Sequence, residues 1–543
     1  MTRGYAQQRG YVMDRGCTVR PLHAGRALAA ASGAALGRLL GYGALAAWLL
    51  ACGATPARPS LPREARPGAE QRPPRVARTP DWSLPRPSKA RLDNGLAVQL
   101  LERHGLPLLE LRLVVLSGTA TEGDRPGVAR LTAAALGAPA RMGSRELAER
   151  VESLGAELRV QTTRDALAFA LTLPVTALGD GLALLGTLTA APRWSETEFE
   201  QLRRRDVARV NALVSYSPSF GASVALYGEL FRASPRRHPY GHFDALPSDL
   251  EQLTLPDCRA WYEANFSPKN AFLLVVGETT LAQLVPLAEH ALGAWQGSEV
   301  APPLFFTPPA PTRLKTLLVD RPNAPRVELR VATLGPERHA AGWSKLAVLE
   351  QLLGAGDESR SRRDLAEHGE LGLDVSSALE QLAYGPTPLV LSTQAESERA
   401  PRVLGSLLGS FAALSLHEPE PRALRAATAQ LSSSLLWGLE TLAGTADQLS
   451  QASVLGLPDG ALDEFRAQLA RVTASEVRAA ALADLKAPPI VVAVGDAAQL
   501  ITALSHFGQV HVLNPEQGFR VERVVTQDPT APLELERADP RAR

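Results

Sequence analysis

The chain has 543 residues, and its 57 Lys+Arg balance its 57 Asp+Glu to a formal net charge of zero. That balance gives no sign of a polyanion partner, so no nucleic acid is expected, and the length argues for two to four domains. Hydrophobic residues at 45% suffice for large cores, while the three cysteines, Cys17, Cys52 and Cys258, exclude a disulfide framework or a cysteine-built zinc site within one folded body. Cys258 reads as a small buried hydrophobe.

Residues 1–38 carry Arg3, Arg9, Arg15, Arg20, Arg26 and Arg38, with Asp14 as the sole acid. An apolar run from Leu39 to Leu50 follows, shorter than the roughly 20 residues a bilayer span requires. A basic segment before a short apolar one is the layout of a secretory signal. The run closes as Leu49-Leu50-Ala51-Cys52-Gly53, which resembles a bacterial lipobox. That resemblance implies cleavage before Cys52, acylation of its thiol and a lipid anchor in the cell envelope, with Gly53 compatible with the outer membrane facing the periplasm. Two or more acyl chains hold a protein stably, whereas one binds only marginally. A plain signal peptide, or an uncleaved anchor, is the alternative. Residues 53–88, rich in Pro, Arg and Ala, read as a tether.

From residue 89 the chain reads as one unit used twice. The segment Leu92-Asp93-Asn94-Gly95-Leu96-Ala97-Val98-Gln99-Leu100 predicts a strand entered through an Asn-Gly turn, with Leu109 to Val115 as its partner. Leu147 to Leu158 and Glu198 to Val214 carry apolar residues at helical spacing, and Leu167 to Leu173 reads as a strand. Thr254 opens a helix ahead of the apolar strand Phe272 to Glu278. Residues 298–312, with Pro302-Pro303 and Pro308-Pro309-Ala310-Pro311, read as an interdomain linker. Beyond it, Leu317 to Val319 and Val327 to Ala332 repeat the first strand pair, and Leu346 to Leu353 repeats a helix. Thr473 then opens a helix ahead of the strand Ile490 to Asp496. Glu110 to Glu328 and Gly277 to Gly495 span the same 218 residues (328 − 110 and 495 − 277). A shared offset at two distant landmarks predicts two tandem homologous α+β domains, 89–297 and 313–515, followed by a charged tail, 516–543.

The ordered set of markers resembles the pitrilysin/insulinase family of zinc metallopeptidases, which includes the mitochondrial processing peptidases. The markers are Leu92-Asp93-Asn94-Gly95-Leu96, Gly127-Val128-Ala129, Leu147-Ala148-Glu149 leading to Leu154-Gly155-Ala156, His238-Pro239-Tyr240-Gly241, and Tyr262 to Asn270. The resemblance covers about residues 89–510 and implies pitrilysin-like domains, each an antiparallel sheet packed with helices, in a clam-shell arrangement. Active relatives carry His-x-x-Glu-His on the helix after the Gly-x-Ala step. Two His four residues apart share a helix face and bind zinc, and the Glu activates the bound water. Here the matching positions hold Arg130, Ala133 and Ala134, and the third ligand, a Glu on a later helix, falls near Arg209. Zinc is therefore expected of the family but its ligands are absent, and no cofactor is expected. Some non-catalytic relatives supply an Arg and a Tyr that grip substrate backbone; those positions hold Ala366 and Leu373.

Other candidates for metal chemistry are weaker. Asp364 and His368, four apart in Asp364-Leu365-Ala366-Glu367-His368, mimic an inverted zinc motif, but a solvated charged helix face explains them as well. His238 and His242 are separated by Pro239 and Gly241, which break helix geometry, and His290 reads as a surface or core-edge residue. The expected function is a catalytically silent metallopeptidase homologue that pairs with a zinc-bearing homologous subunit and helps enclose peptides. A stand-alone peptide-binding envelope lipoprotein and a zinc endopeptidase with displaced ligands are the alternatives.

Overall fold

The computed structural model describes Ser83 and residues 86–526, apart from 138–144, 191, 193, 233–237, 357 and 371. The expected signal, Cys52, most of the tether and the chain beyond residue 526 lie outside the described residues. No described helix is long and apolar enough to cross a membrane.

Two sheets organise the chain. The first holds β1 (Ser88–Arg91), β2 (Ala97–Glu102), β3 (Leu108–Val115), β4 (Glu157–Thr162), β5 (Leu167–Pro174) and β6 (Ala271–Gly277), in the order β1-β2-β6-β3-β5-β4. The second holds β7 (Lys315–Asp320), β8 (Arg326–Glu337), β9 (Val375–Leu379), β10 (Pro386–Glu396), β11 (Ile490–Gly495), β12 (Gln509–Asn514) and β13 (Arg520–Val525). Its order is β13-β12-β7-β11-β8-β10-β9. The fold is α+β in two tandem units, as expected. Each sheet is mixed rather than antiparallel, because β2 runs parallel to β6, and β7 to both β11 and β12.

The duplication extends to strand register. Ala97 lies opposite Phe272 and Lys315 opposite Ile490; Leu111 lies opposite Val275 and Leu329 opposite Ala493. Each first-half position maps onto the second by the 218-residue offset. Both helices preceding the closing strands begin with a capping box, Thr254 with Asp257 and Thr473 with Glu476.

The Asn94-Gly95 turn opens β2 as expected and joins it to β1, with Gly95 at φ +95 and Asn94 Oδ1 accepting the Leu96 N–H at 3.1 Å. Two local expectations are corrected. The helix expected over Leu147 to Leu158 spans Arg145–Ser153 and stops at Gly155, φ +60, so that Leu158 lies in β4. Residues 520–525, expected as loose tail, form β13 on the edge of the second sheet. Their side chains are largely exposed, so they carry no apolar face to betray a strand.

Each sheet is covered on both faces, which is why β6 and β11 read as unbroken apolar runs. On β3, Leu109, Leu111, Leu113 and Val115 face the first half's own helices, while Glu110, Arg112 and Val114 point the other way. That second face is covered by a helix from the second half, Leu442–Val454, through Ala446 and Leu449. Reciprocally, the first half's helix Pro218–Leu230 covers the second sheet, packing Ala222, Ala225 and Leu226 on Leu317, Val492 and Val494.

A buried ion pair stands under each crossing helix. Arg112 Nε donates to Glu110 Oε1 at 3.1 Å, and its other nitrogens reach Asp447 Oδ1 at 2.5 Å and the Ala443 carbonyl at 3.0 Å. Arg330 Nε donates to Glu328 Oε1 at 3.2 Å, and its other nitrogens reach Ser223 Oγ at 2.8 Å and the Ser219 carbonyl at 3.0 Å. Thr172 and Gln394, directly across the strand pair, donate to the remaining oxygens of Glu110 and Glu328 at 2.6 and 2.9 Å.

Replacing Arg330 with Leu would leave Glu328 buried without its cation, at an expected cost of about 3–5 kcal/mol in urea-induced unfolding. The Glu328→Leu, Arg330→Leu double variant should recover much of that loss. A single-variant cost under about 1 kcal/mol would mean that apolar contacts alone hold the crossing helix.

Candidate functional site

The helix Val128–Gly137 carries the first three positions singled out by the sequence. Gly127 precedes it at φ +91, where a β-carbon would come within 2.6 Å of Leu250 and 2.8 Å of Ala245. The buried Glu122 carboxylate accepts the N–H groups of Gly127 and Ala129, at 2.9 and 3.0 Å, and so satisfies the helix start. Burial pushes Glu122 up to about 8, against those two bonds and the charge of Arg130. Ala133 is buried in the first core, and Ala134 is half-buried beside it. Neither methyl offers a donor atom or takes a proton.

Arg130 and Arg209 converge although 79 residues separate them (209 − 130). Between them stand two carboxylates, Asp206 on the same helix as Arg209 (Glu196–Tyr216) and Asp244 on a loop. Arg130 Nη1 donates to Asp206 Oδ1 at 2.9 Å, and its Nη2 lies 3.1 Å from Asp244 Oδ1. Nη2 also approaches Asp206 Oδ2 at 2.7 Å, but as an ion contact without hydrogen-bond alignment. Arg209 donates from Nε to Asp206 Oδ1 at 2.8 Å and from Nη2 to Asp244 Oδ2 at 3.2 Å. The four groups form a closed set in which each carboxylate bridges both guanidiniums. Burial lifts Asp206 to about 6, opposed by Arg130 and reinforced by Asp244; burial likewise raises Asp244.

This donor set does not fit a zinc ion. A guanidinium has no lone pair for a metal, the alanines have no heteroatom, and both carboxylates already serve cations. Among the described residues, no three His, Cys, Asp or Glu side chains are placed to hold a metal. Asp206 was visible in the sequence one turn from the expected ligand. Asp244 was not, since a loop residue 38 positions on (244 − 206) carries no periodic signal.

In the second half, Ala366 is exposed on the helix Arg360–Glu367, and Leu373 is half-buried against the second core. The Asp364/His368 motif does not assemble. The helix ends at Glu367, and His368 turns back so that Nδ1 lies 2.6 Å from the Asp364 carbonyl. The Asp364 carboxylate points inward, accepting Ser410 Oγ at 2.7 Å and pairing with Arg360 at 2.8 Å. It is therefore a buried structural carboxylate and not part of a solvated face. Cys258 is buried and free, its thiol pushed up to about 12 by burial, and His290 is exposed.

The loop carrying His238 and His242 belongs to an aromatic and ionic latch between the halves that the sequence did not reveal. Arg164, in the β4–β5 turn, pairs with Glu380 of the second half at 2.7 Å and lies 4.1 Å over the Tyr227 ring. It also donates to the His242 carbonyl at 2.7 Å, and Tyr227 donates to Glu380. Asp165 accepts the Tyr240 hydroxyl at 2.5 Å and the Ala383 N–H at 2.9 Å. His238 is buried among Phe231, Tyr240, Phe305 and Phe306, the last two from the linker. Its Nδ1 accepts the Tyr240 N–H at 3.1 Å and its Nε2 donates to the Phe306 carbonyl at 3.0 Å. Only the neutral imidazole meets both partners.

Residues 252–431 match the family described as the peptidase M16 inactive domain. Among solved structures, a peptidase M16 inactive domain from Pseudomonas fluorescens is similar at TM-score 0.69 and 22% identity, over 76% of this chain and 98% of that one. A protease from Helicobacter pylori is similar at TM-score 0.67 and 18% identity, over 76% of this chain and 100% of that one. An M16-like peptidase from Alicyclobacillus acidocaldarius is similar at TM-score 0.62 and 16% identity, over 75% and 97%. At these identities the likeness is one of fold. No curated protein sequence matches the chain.

Burial holds the folded pKa of His238 below its ordinary value, so the folded state binds fewer protons than the unfolded state near neutrality. Its contribution is complete above the unfolded value of about 6.5 and is lost as pH falls toward the folded one. His238→Gln retains an acceptor and a donor without titrating. Melting curves from pH 5 to 8 should show a smaller acid-side fall for this variant than for the unchanged chain; parallel curves would refute the assignment.

Proposed function

We propose that the chain is a member of the M16, or pitrilysin, peptidase family, and that it is a catalytically silent homologue working as a subunit; the match of residues 252–431 to the inactive-domain family supports this. The chain pairs with a zinc-bearing homologous peptidase and helps enclose peptides at the cell envelope, held there by a lipid on Cys52. The observation that supports this reading is the set of residues at the positions that the resemblance aligns with the family's zinc ligands. Arg130 and Arg209 are tied to Asp206 and Asp244, and Ala133 and Ala134 bring only methyl groups. A metal-bound water needs three lone-pair donors and a base nearby, and these side chains supply neither. The fold is nonetheless kept whole, which favours a role for its surface in binding over a relic losing its structure.

The anchor rests on the Leu49-Leu50-Ala51-Cys52-Gly53 sequence after the apolar run, and on the Pro-rich stretch to residue 88 that follows it. The same stretch gives the folded body reach from a membrane surface.

Purified protein incubated with zinc and desalted should retain less than about a tenth of an equivalent, measured by elemental analysis. Near-stoichiometric zinc would overturn the reading in favour of a peptidase with relocated ligands. Co-expressed with a zinc-bearing M16 homologue from the same source, the chain should copurify in a defined complex. Association only with itself would favour a stand-alone peptide-binding lipoprotein. In a bacterial host given radiolabelled palmitate, the unchanged chain should take up label and Cys52→Ser should not; equal labelling would remove the anchor.

A further inference from the structure

The second half contains a cavity of about 300 Å³ that no zinc position and no latch residue lines. Its wall is made by the end of β8, the helix Trp343–Glu350, the β9–β10 connection, and the helices Pro421–Trp437, Leu442–Val454 and Ala461–Leu469. Arg338 is the cation in this wall and is 8% exposed. Its Nε donates to Gln381 Oε1 at 3.0 Å, and its guanidinium carbon lies 4.7 Å over the Trp343 ring and 5.9 Å from the Phe465 ring. Among the described residues no carboxylate pairs with it and neither Nη makes a hydrogen bond, although neither Nη is sealed from solvent. This sets it apart from the other buried arginines, because Arg112, Arg164 and Arg330 each pair with a carboxylate. A buried guanidinium without an anion is costly unless something completes it. Burial alone pulls Arg338 down to about 10, the direction expected of a cation with no countercharge.

Two further groups in the wall define what would complete it. Gln448 donates from Nε2 to the Leu435 carbonyl at 2.8 Å, and its buried Oε1 has no donor. Glu350 is buried at the end of its helix, accepting Ser377 Oγ at 2.9 Å and Gln351 Nε2 at 3.0 Å. It is followed by a π-helical turn, Gln351–Ala355, a distortion frequent at functional sites. The rest of the wall is largely leucine. The site thus presents a fork of donors for an anion, an acceptor for an N–H and an apolar surface. The volume sits at the lower bound for ligand pockets, room for one residue rather than a longer segment.

We propose that this cavity binds the C-terminal residue of a peptide, its carboxylate on Arg338, its amide N–H toward Gln448 and its apolar side chain among the leucines. A planar carboxylate matches the two Nη groups in a bidentate pair, with the guanidinium lying over Trp343. A phosphate would bring more charge than one guanidinium balances and would leave the leucine wall unused. The site deepens the proposed function by naming the end of the peptide that is held, and it rests on that reading only in taking peptides as the ligand. Binding is measured on this chain alone, so a failure to pair with a zinc peptidase would leave the result intact.

The test is calorimetric titration of the full chain with four probes: N-acetyl-leucine, N-acetyl-leucinamide, free leucine, and a pentapeptide ending in a free leucine carboxylate. The expected result is binding of N-acetyl-leucine and the pentapeptide, with the amide and free leucine weaker by at least about tenfold. Arg338→Gln should weaken N-acetyl-leucine by a similar factor. Ala452→Phe, which fills the cavity from the 442–454 helix and leaves Arg338 in place, should abolish binding if the guanidinium variant fails to fold. Equal binding of the acid and the amide, or unchanged binding in both variants, would overturn the site. Binding of N-acetyl-leucine without the pentapeptide would overturn the peptide and leave a free acylated amino acid as the ligand.

Discussion

Much of this architecture depends on two arginines buried in the middle of β-sheets. Arg112 and Arg330 occupy equivalent positions on β3 and β8, each neutralised by a glutamate two residues back on the same face. An ion pair so placed cannot face lipid-like packing alone, because the donors not used by the glutamate need acceptors. The acceptors come from the other half of the chain. Ser219 and Ser223 serve Arg330, and Ala443 and Asp447 serve Arg112, each pair one turn apart on its helix and mutually offset by 224 residues (443 − 219 and 447 − 223). The exchange makes each sheet's second face a product of both halves. A mutation in either crossing helix therefore disturbs the sheet of the other domain, and the halves have little scope to fold apart.

The same chemistry, a guanidinium held by carboxylates, recurs where the helix Val128–Gly137 meets the helix Glu196–Tyr216. In the set formed by Arg130, Arg209, Asp206 and Asp244 two cations meet two anions, so the half-buried cluster is neutral without any added ion. Neutrality matters at this depth, since an uncompensated charge would cost several kcal/mol. Arginine suits this place because its donors tie two helices and a loop together. The helix start at Gly127 and its carboxylate cap Glu122 stand beside the cluster, so the geometry of the segment is fixed independently of the arginines.

The sequence carried the repeat plainly because the central strands admit no slippage. A one-residue shift would turn Leu109, Leu111 and Leu113 onto the face of the ion pair, so the spacing between Glu110 and Gly277 is preserved in Glu328 and Gly495. It also placed Arg130, Ala133 and Ala134 together, since they lie in one short helix. The crossing helices were not legible, since Ser219 and Ser223 are polar residues on an apolar helix whose partner is about a hundred residues away. Asp244, Glu380 and Arg164 were hidden for the same reason: each sits in a loop or turn where no period marks its direction. Edge strand β13 escaped because exposed residues pair through backbone alone. Periodicity reports which face a residue takes within its own element, and it is silent about which other element meets that face.

That limit also explains why the cavity in the second half emerges only from the fold. The 442–454 helix uses one face, Ala443, Ala446, Asp447 and Leu449, against the first sheet, and another, Gln448, Gln451, Ala452 and Leu455, against the cavity. Residues one turn apart share each face, so the helix is a beam between Arg112 on one side and Arg338 on the other. A ligand that completes Arg338 would press on the element that completes Arg112. Coupling of this kind requires no moving hinge. It requires only that one helix complete Arg112 on one side and line the cavity on the other, as this one does.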